Sequence, residues 1–330
     1  MSATAPAFQP APGRLPLVTL YVTERCNSRC VTCDYWRHGR IDMSLAAVKR
    51  LLPSLERLGT RVVVLSGGEP LLHPDWMHIA ECLKSNGIEV WLLTSGLALA
   101  KHARRVAQLF DSVTVSLDGA DRQTYAAIRG LDAFDKVCEG VAAAAANGMA
   151  PGLRVTLQRT NYGQLPAFVD VAKAIGAARV SFLAVDVANP HAFGRVDDID
   201  PDLALRPDDL TIFDALISDL EQTRHTDFKN GFIAESPQKL RRILQYFAAV
   251  NGRGAYPPVR CNAPDFSAVI GASGHVQPCF FIPAAPDARV RDDFAAALGA
   301  PGMLALLDDI RAGKRLECKT CVCSMWREPP

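Results

Sequence analysis

From residue 17 to 185 the chain alternates short β-branched or apolar runs with longer helical stretches, and this alternation restricts the fold more than any other feature. The runs 18–23, 61–65, 89–93, 112–117, 153–158 and 179–185 read as strands. Between them lie helical segments at 44–58, 74–85, 98–109, 132–146 and 165–175. Strands this uniformly apolar predict a parallel sheet covered on both faces. Parallel neighbours need a crossover connection, so βα units in series predict an α/β fold, a partial (β/α)6 TIM-like barrel. With 330 residues the chain has room for that barrel and a smaller second unit.

Beyond residue 185 the regularity breaks. A loop at 186–207 is rich in Asp and Pro, helices are expected at 208–221 and 236–250, and 251–258 is a Gly/Pro linker. Two short β elements, 266–270 and 275–280, flank the turn Gly271-Ala272-Ser273-Gly274, and a helix at 302–312 precedes a cysteine-rich tail. The expected division is an Ala/Pro-rich disordered arm at 1–16, a barrel with a helical extension at 17–255, and a small β-hairpin-plus-helix unit at 256–330. The acids of 186–209 read as a solvated loop, with attraction of an aminated substrate as the sharper alternative. A formal net charge of +1 gives no global field for nucleic acid or an anionic membrane. No apolar run approaches the roughly 20 residues of a spanning helix, and 1–16 lacks a signal-peptide core. The expected location is cytoplasmic, with neither nucleic acid nor membrane as partner.

The ten cysteines are unevenly placed. Cys26, Cys30 and Cys33 form one set; Cys318, Cys321 and Cys323 form another, to which Cys261 and Cys279 can be added. Clustering of this kind points to metal ligation rather than to a disulfide framework. Cys82 and Cys138, alone on predicted helices, read as small apolar side chains. The first set follows the first strand, at the edge where parallel barrels build active sites. Three thiolates on one loop can hold a metal or an iron–sulfur cluster and leave one coordination position open. A zinc knuckle completed by His38 is the plainer alternative. In the second set, five cysteines suffice for one four-thiolate cluster, with a zinc ribbon as the alternative.

Other residues gather on the same predicted edge. Ser66-Gly67-Gly68-Glu69-Pro70 follows the second strand, where paired glycines admit close backbone approach and a carboxylate or carbonyl can receive an ammonium group. Thr94-Ser95-Gly96 ends the third strand, and Ser116-Leu117-Asp118-Gly119, continuing to Arg129-Gly130, ends the fourth. Gln158 and Leu183 close the fifth and sixth. His73 and His78 read as structural.

The Cys-x3-Cys-x2-Cys spacing resembles the signature of radical S-adenosylmethionine (radical SAM) enzymes, although Thr32 stands where that family often has an aromatic residue. The GGEP and SLDG…RG stretches resemble motifs of the same family. The resemblance implies that Cys26, Cys30 and Cys33 hold a 4Fe–4S cluster whose fourth iron is chelated by S-adenosylmethionine. It assigns Gly67, Gly68, Glu69, Ser95, Ser116, Arg129, Gln158 and Leu183 to cofactor binding, with Ser116 and Arg129 at the ribose or methionine carboxylate. Cys261-x12-Gly274-x4-Cys279 with Cys318-x2-Cys321-x-Cys323 resembles a SPASM extension abbreviated to the twitch form. That implies a second 4Fe–4S cluster on Cys261, Cys279, Cys318 and Cys321, with Cys323 either replacing one ligand or free to act as a hydrogen donor. The implied activity is reductive cleavage of S-adenosylmethionine to a 5′-deoxyadenosyl radical, fed by a flavodoxin- or ferredoxin-like electron donor. Hydrogen is then abstracted from a polar small molecule, a sugar, aminocyclitol or similar, with oxidation, epimerisation or decarboxylation as the outcome. The short N-terminal arm favours this over peptide modification, which is the alternative; a zinc-stabilised binding protein without catalysis is a remote third.

Overall fold

The computed structural model describes residues 15–197 and 199–328. Most of the expected N-terminal arm, together with Asp198, Pro329 and Pro330, lies outside them.

The first half follows the predicted alternation: β1 Leu17–Thr23, α1 Leu45–Arg57, β2 Val62–Gly67, α2 Trp76–Ser85, β3 Glu89–Thr94, α3 Leu99–Leu109 and β4 Ser112–Ser116. It continues with α4 Arg122–Arg129, α5 Phe134–Ala146, β5 Gly152–Leu157, α6 Leu165–Ala174 and β6 Arg179–Ala184. The remainder comprises α7 Pro207–Thr223, α8 His225–Lys229, α9 Pro237–Val250, β7 Ser267–Ile270, β8 Val276–Gln277, α10 Phe294–Leu298, α11 Pro301–Arg311 and α12 Leu316–Lys319. Helix α4 has no counterpart among the predicted helices. It is eight residues long and half polar, and its ends are fixed locally. The Asp121 carboxylate accepts from Thr124 N at 2.8 Å, and Gly130 closes it at φ 73°.

Strands β1 to β6 pair in sequence order and in parallel, as a right-handed βα series must. Alternate residues divide between two environments. Val18, Leu20, Val63, Leu65, Val90, Leu92, Val113, Val115, Leu153, Val155, Val180 and Phe182 join the buried core beneath the helices. Their neighbours in sequence, among them Tyr21, Ser66, Leu93, Ser116, Arg154, Thr156, Ser181 and Leu183, face the barrel interior. The open edge of β6 is covered by the stretch after α8: Val180 N donates to Phe232 O at 2.7 Å and Ala234 N to Val180 O at 2.9 Å. That covering satisfies groups an exposed edge would leave bare.

The C-terminal hairpin forms as predicted, β8 antiparallel to β7. It is also laid against the barrel, because β7 pairs in parallel with β1, Val18 opposite Ala268 and Leu20 opposite Ile270. Ala268 and Ile270 enter the same core as β1. Local pattern predicts the hairpin; only burial of its apolar face selects the partner. Among the described residues no helix is long and apolar enough to cross a membrane.

Candidate active site

The loop leaving β1 brings Cys26, Cys30 and Cys33 together, close enough for the thiols to act electrostatically on one another. Burial pushes the Cys26 thiol up and the Cys33 thiol up to about 12, while the backbone N–H groups of Ser28 and Tyr35 work in the other direction. The loop is docked on the end of α4. Arg29 N donates to Arg129 O and Val31 N to Ile128 O, both at 3.0 Å. Gly130 permits this approach, since a Cβ there would run into Arg29.

Arg129 itself turns inward. Its Nη1 lies 3.2 Å from Cys30 Sγ, and its Nε lies 3.0 Å from an Asp118 carboxylate oxygen. Burial opposes the charge, but Asp118 and Cys30 outweigh it and hold the guanidinium above its ordinary pKa. Asp118 is in turn fixed by Thr156 N at 2.7 Å. The pair is close but not aligned as a hydrogen bond, so Arg129 Nε and Nη2 keep unused donor capacity.

Gly67 and Gly68 serve the cysteine loop. Gly68 N donates to Thr23 O at 2.8 Å and Glu69 N to Arg25 O at 2.7 Å. A Cβ on Gly68 would collide with the Arg25 backbone, one residue before Cys26. Glu69 is fully buried and its carboxylate is committed: Oε1 accepts from Leu71 N at 3.0 Å and Thr94 Oγ1 at 2.8 Å, Oε2 from Ser95 N at 2.7 Å. It ties the ends of β2 and β3 together and sets the position of Ser95.

Around these groups runs a ring of buried polar atoms with no hydrogen-bond partner among the described residues: Ser28 Oγ, Ser95 Oγ, Tyr125 OH, the two Arg129 nitrogens and both side-chain atoms of Gln158. Each would cost about 1–3 kcal/mol if nothing met it. They stand at or beside the carboxyl ends of four strands, next to three thiols. Ser116, the last residue of β4, and Leu183, opposite Thr156 on β6, are half-buried on the interior face. The set fits a zwitterionic ligand bearing hydroxyls and a heterocyclic base, beside a metal group held by three thiolates.

The second cysteine set also converges. Cys261, Cys279, Cys318, Cys321 and Cys323 line one cavity of about 490 Å³. Burial pushes Cys279 up to about 12 and raises Cys318, Cys321 and Cys323 as well. Among the described residues no three His, Cys, Asp or Glu side chains meet in the geometry of a single-ion site; these thiols ring a space instead. Cys323 feels the cations Arg154 and Lys239, and Cys318 feels Arg315.

The two sets are neighbours across an aromatic row. The Tyr21 ring lies 5.3 Å from Tyr35, two residues past Cys33, and 6.4 Å from Phe280, which follows Cys279. A strap after β6 clasps both sides. Phe193 O accepts from Asp34 N at 3.0 Å, while Asn189 Nδ2 donates to Phe281 O at 2.7 Å.

His38 contacts Gly194 O through Nε2 at 2.6 Å and so belongs to that clasp. The acids of the segment are largely answered within the chain: Asp197 pairs with Arg37, Asp202 with Arg206, and Asp209 with Arg159. Asp198, part of the same acidic run, lies outside the described residues. His73 is structural, its Nε2 on Met43 O and its Nδ1 accepting from Asp75 N, both at 3.0 Å. Cys82 and Cys138 are half-buried on α2 and α5.

The family model of the radical SAM superfamily matches residues 20–170. A probable GTP 3′,8-cyclase of Methanopyrus kandleri is 38% identical over 159 residues, covering 46% of this chain and 51% of that protein. A probable GTP 3′,8-cyclase of Methanococcus maripaludis is 30% identical over 201 residues, covering 58% of this chain and 67% of that protein. This chain belongs to the radical SAM superfamily. Radical SAM proteins carry a 4Fe–4S cluster and bind S-adenosylmethionine. The chain spans about half the length of the first of these relatives and two thirds of the second. Among solved structures, native anSMEcpe with bound AdoMet and Cp18Cys peptide superposes with a TM-score of 0.65 at 16% identity, over 94% of this chain and 89% of that one. A likeness at that identity speaks for the radical SAM fold.

Sequence reasoning did not single out three members of the site. Ser28 lies inside the cysteine motif and could have been suspected as a small polar residue between ligands. Tyr125 is completely buried on α4, a helix the sequence did not disclose. Arg154 sits mid-strand, where only the alternation of β5 marks it as interior.

Proposed function

We propose that this chain cleaves S-adenosylmethionine reductively at the Cys26–Cys30–Cys33 loop and uses the resulting 5′-deoxyadenosyl radical to abstract hydrogen from a polar small molecule. The observation that carries the reading is the ring of unpartnered buried atoms on Ser28, Ser95, Arg129 and Gln158 beside three converging thiols. The bound cluster supplies the electron for cleavage; the protein's own residues position, orient and exclude water. In this reading Arg129 sets Cys30 and spends its free N–H groups on the methionine carboxylate. Ser95, Ser116 and Gln158 take ribose and base, Leu183 packs beside the nucleoside, and Gly67, Gly68 and Glu69 hold the rim in register.

The five-cysteine cavity supports a second 4Fe–4S cluster in a twitch-type extension, with Cys261, Cys279, Cys318 and Cys321 as ligands and Cys323 as the remaining thiol. The substrate then lies between the two cysteine sets, near the Tyr21 row, and a flavodoxin- or ferredoxin-like protein supplies the electron.

The test is anaerobic incubation of reconstituted protein with S-adenosylmethionine and a strong one-electron reductant. Formation of 5′-deoxyadenosine that requires the first three cysteines is expected. Intact S-adenosylmethionine after complete cluster loading and reduction would refute the reading.

A further inference from the structure

Arg154 is a partly buried guanidinium that carries no ion pair among the described residues. It stands in mid-β5, and because Leu153 and Val155 enter the helix-covered core, its side chain faces the barrel interior. Its register partners on that face are Ser116 on β4 and Ser181 on β6. The other charged residues on interior-facing strand positions, Glu89 and Arg179, are exposed at the opposite ends of their strands.

Arg154 Nε donates to Ser181 Oγ at 2.8 Å, which fixes the plane of the guanidinium and leaves its terminal N–H groups for a ligand. Among the described residues no carboxylate lies within ion-pair distance of it. The acid that feels it, Glu235, accepts from Phe182 N at 2.7 Å and sits 3.8 Å from Lys239. By contrast, Arg129 is engaged by Asp118 and Cys30, and Arg195 by the carbonyls of Asp186 and Asn189. Arg154 also stands opposite Ser116 in the sheet register, and its charge is felt at Cys323 of the second cysteine set. A partly buried, pre-oriented fork without an acid is built for a planar oxygen group.

We infer that Arg154 binds an anionic oxygen group of the substrate, a carboxylate or a phosphate, and so holds the substrate between the two cysteine sets. This rests on the function proposed above and adds the substrate's chemical class.

The experiment uses the reconstituted protein with S-adenosylmethionine bound, and follows its melting temperature against inorganic phosphate or malonate at constant ionic strength. A saturable rise with either probe is expected in the unaltered protein, and the probe that acts tells phosphate from carboxylate. Arg154→Gln should weaken the apparent dissociation constant about tenfold or more, as for a lost charge-assisted bond. Arg154→Lys, which keeps the charge without the fork, should fall between. Iron content and the melting temperature without anion check that each variant is folded. No rise with either probe, or an equal rise in Arg154→Gln, overturns the inference. Binding of S-adenosylmethionine to the unaltered protein is measured separately, so failure of the parent reading shows there and not in the anion series.

Discussion

Arg129 Nη1 stands 3.2 Å from Cys30 Sγ although 99 positions separate the two residues in sequence. The contact joins the end of α4 to the loop after β1, and the same arginine receives Arg29 N on its backbone carbonyl. One residue thus fixes the cysteine loop through its main chain and meets a thiol through its side chain.

Removing that guanidinium leaves Asp118 as an unpaired buried carboxylate. Arg129→Met is expected to lose about 3–5 kcal/mol of stability in the cluster-free chain, the usual cost of breaking such a pair from one side. Arg129→Lys should lose less, since a charge remains. Urea unfolding of the two variants measures the difference, and equal stabilities would show that the pair contributes nothing.

Gly68 is expected to tolerate no side chain. Gly68→Ala drives a Cβ into the Arg25 backbone and should displace the start of the cysteine loop, lowering iron loading and costing about 1–3 kcal/mol. Gly163→Ala is the control, because an added Cβ there meets nothing. Iron analysis after anaerobic reconstitution reads the outcome; normal loading of Gly68→Ala would place the loop's anchor elsewhere.

Two independent cysteine sets predict about eight irons per chain. Replacing Cys26, Cys30 and Cys33 by Ala should halve the iron and abolish cleavage of S-adenosylmethionine. Replacing Cys279 or Cys321 should remove the other half and leave some cleavage. Cys323→Ala should keep both halves, and loss of iron in that variant would make it a ligand. Mössbauer spectra with iron counts decide; zinc at the C-terminal set would end the two-cluster reading.

Burial holds the Asp186 carboxyl above the usual carboxylate range, although Ala188 N and Asn189 N favour its charged form. A folded pKa above the unfolded value means that the native state binds the proton more tightly. That contribution is complete below the unfolded pKa and is lost as pH rises through the folded one. Asp186→Asn, which keeps an acceptor for both N–H groups, should therefore match the parent in acid and become relatively more stable toward neutral pH. Melting temperatures across that range test it, and a constant difference would remove Asp186 as the titrating group.

The sequence by itself determined the parallel βα barrel, because strand and helix periodicities are local and each apolar run must be covered. It also determined the two cysteine sets, since three thiols within eight residues can share one metal group however the rest folds. Which groups surround them was decided only by the tertiary structure. Spacing leaves the partner of the Glu69 carboxylate open; in the fold Leu71, Thr94 and Ser95 take it. Spacing does not say what the paired glycines approach; in the fold Gly67 admits the Thr23 backbone and Gly68 the Arg25 backbone. The hairpin near 270 read as part of a separate unit, yet β7 completes the edge of β1, because Ala268 and Ile270 find their burial there. In each case the outcome depends on which distant atom reaches a polar or apolar surface first, and spacing along the chain carries no record of that.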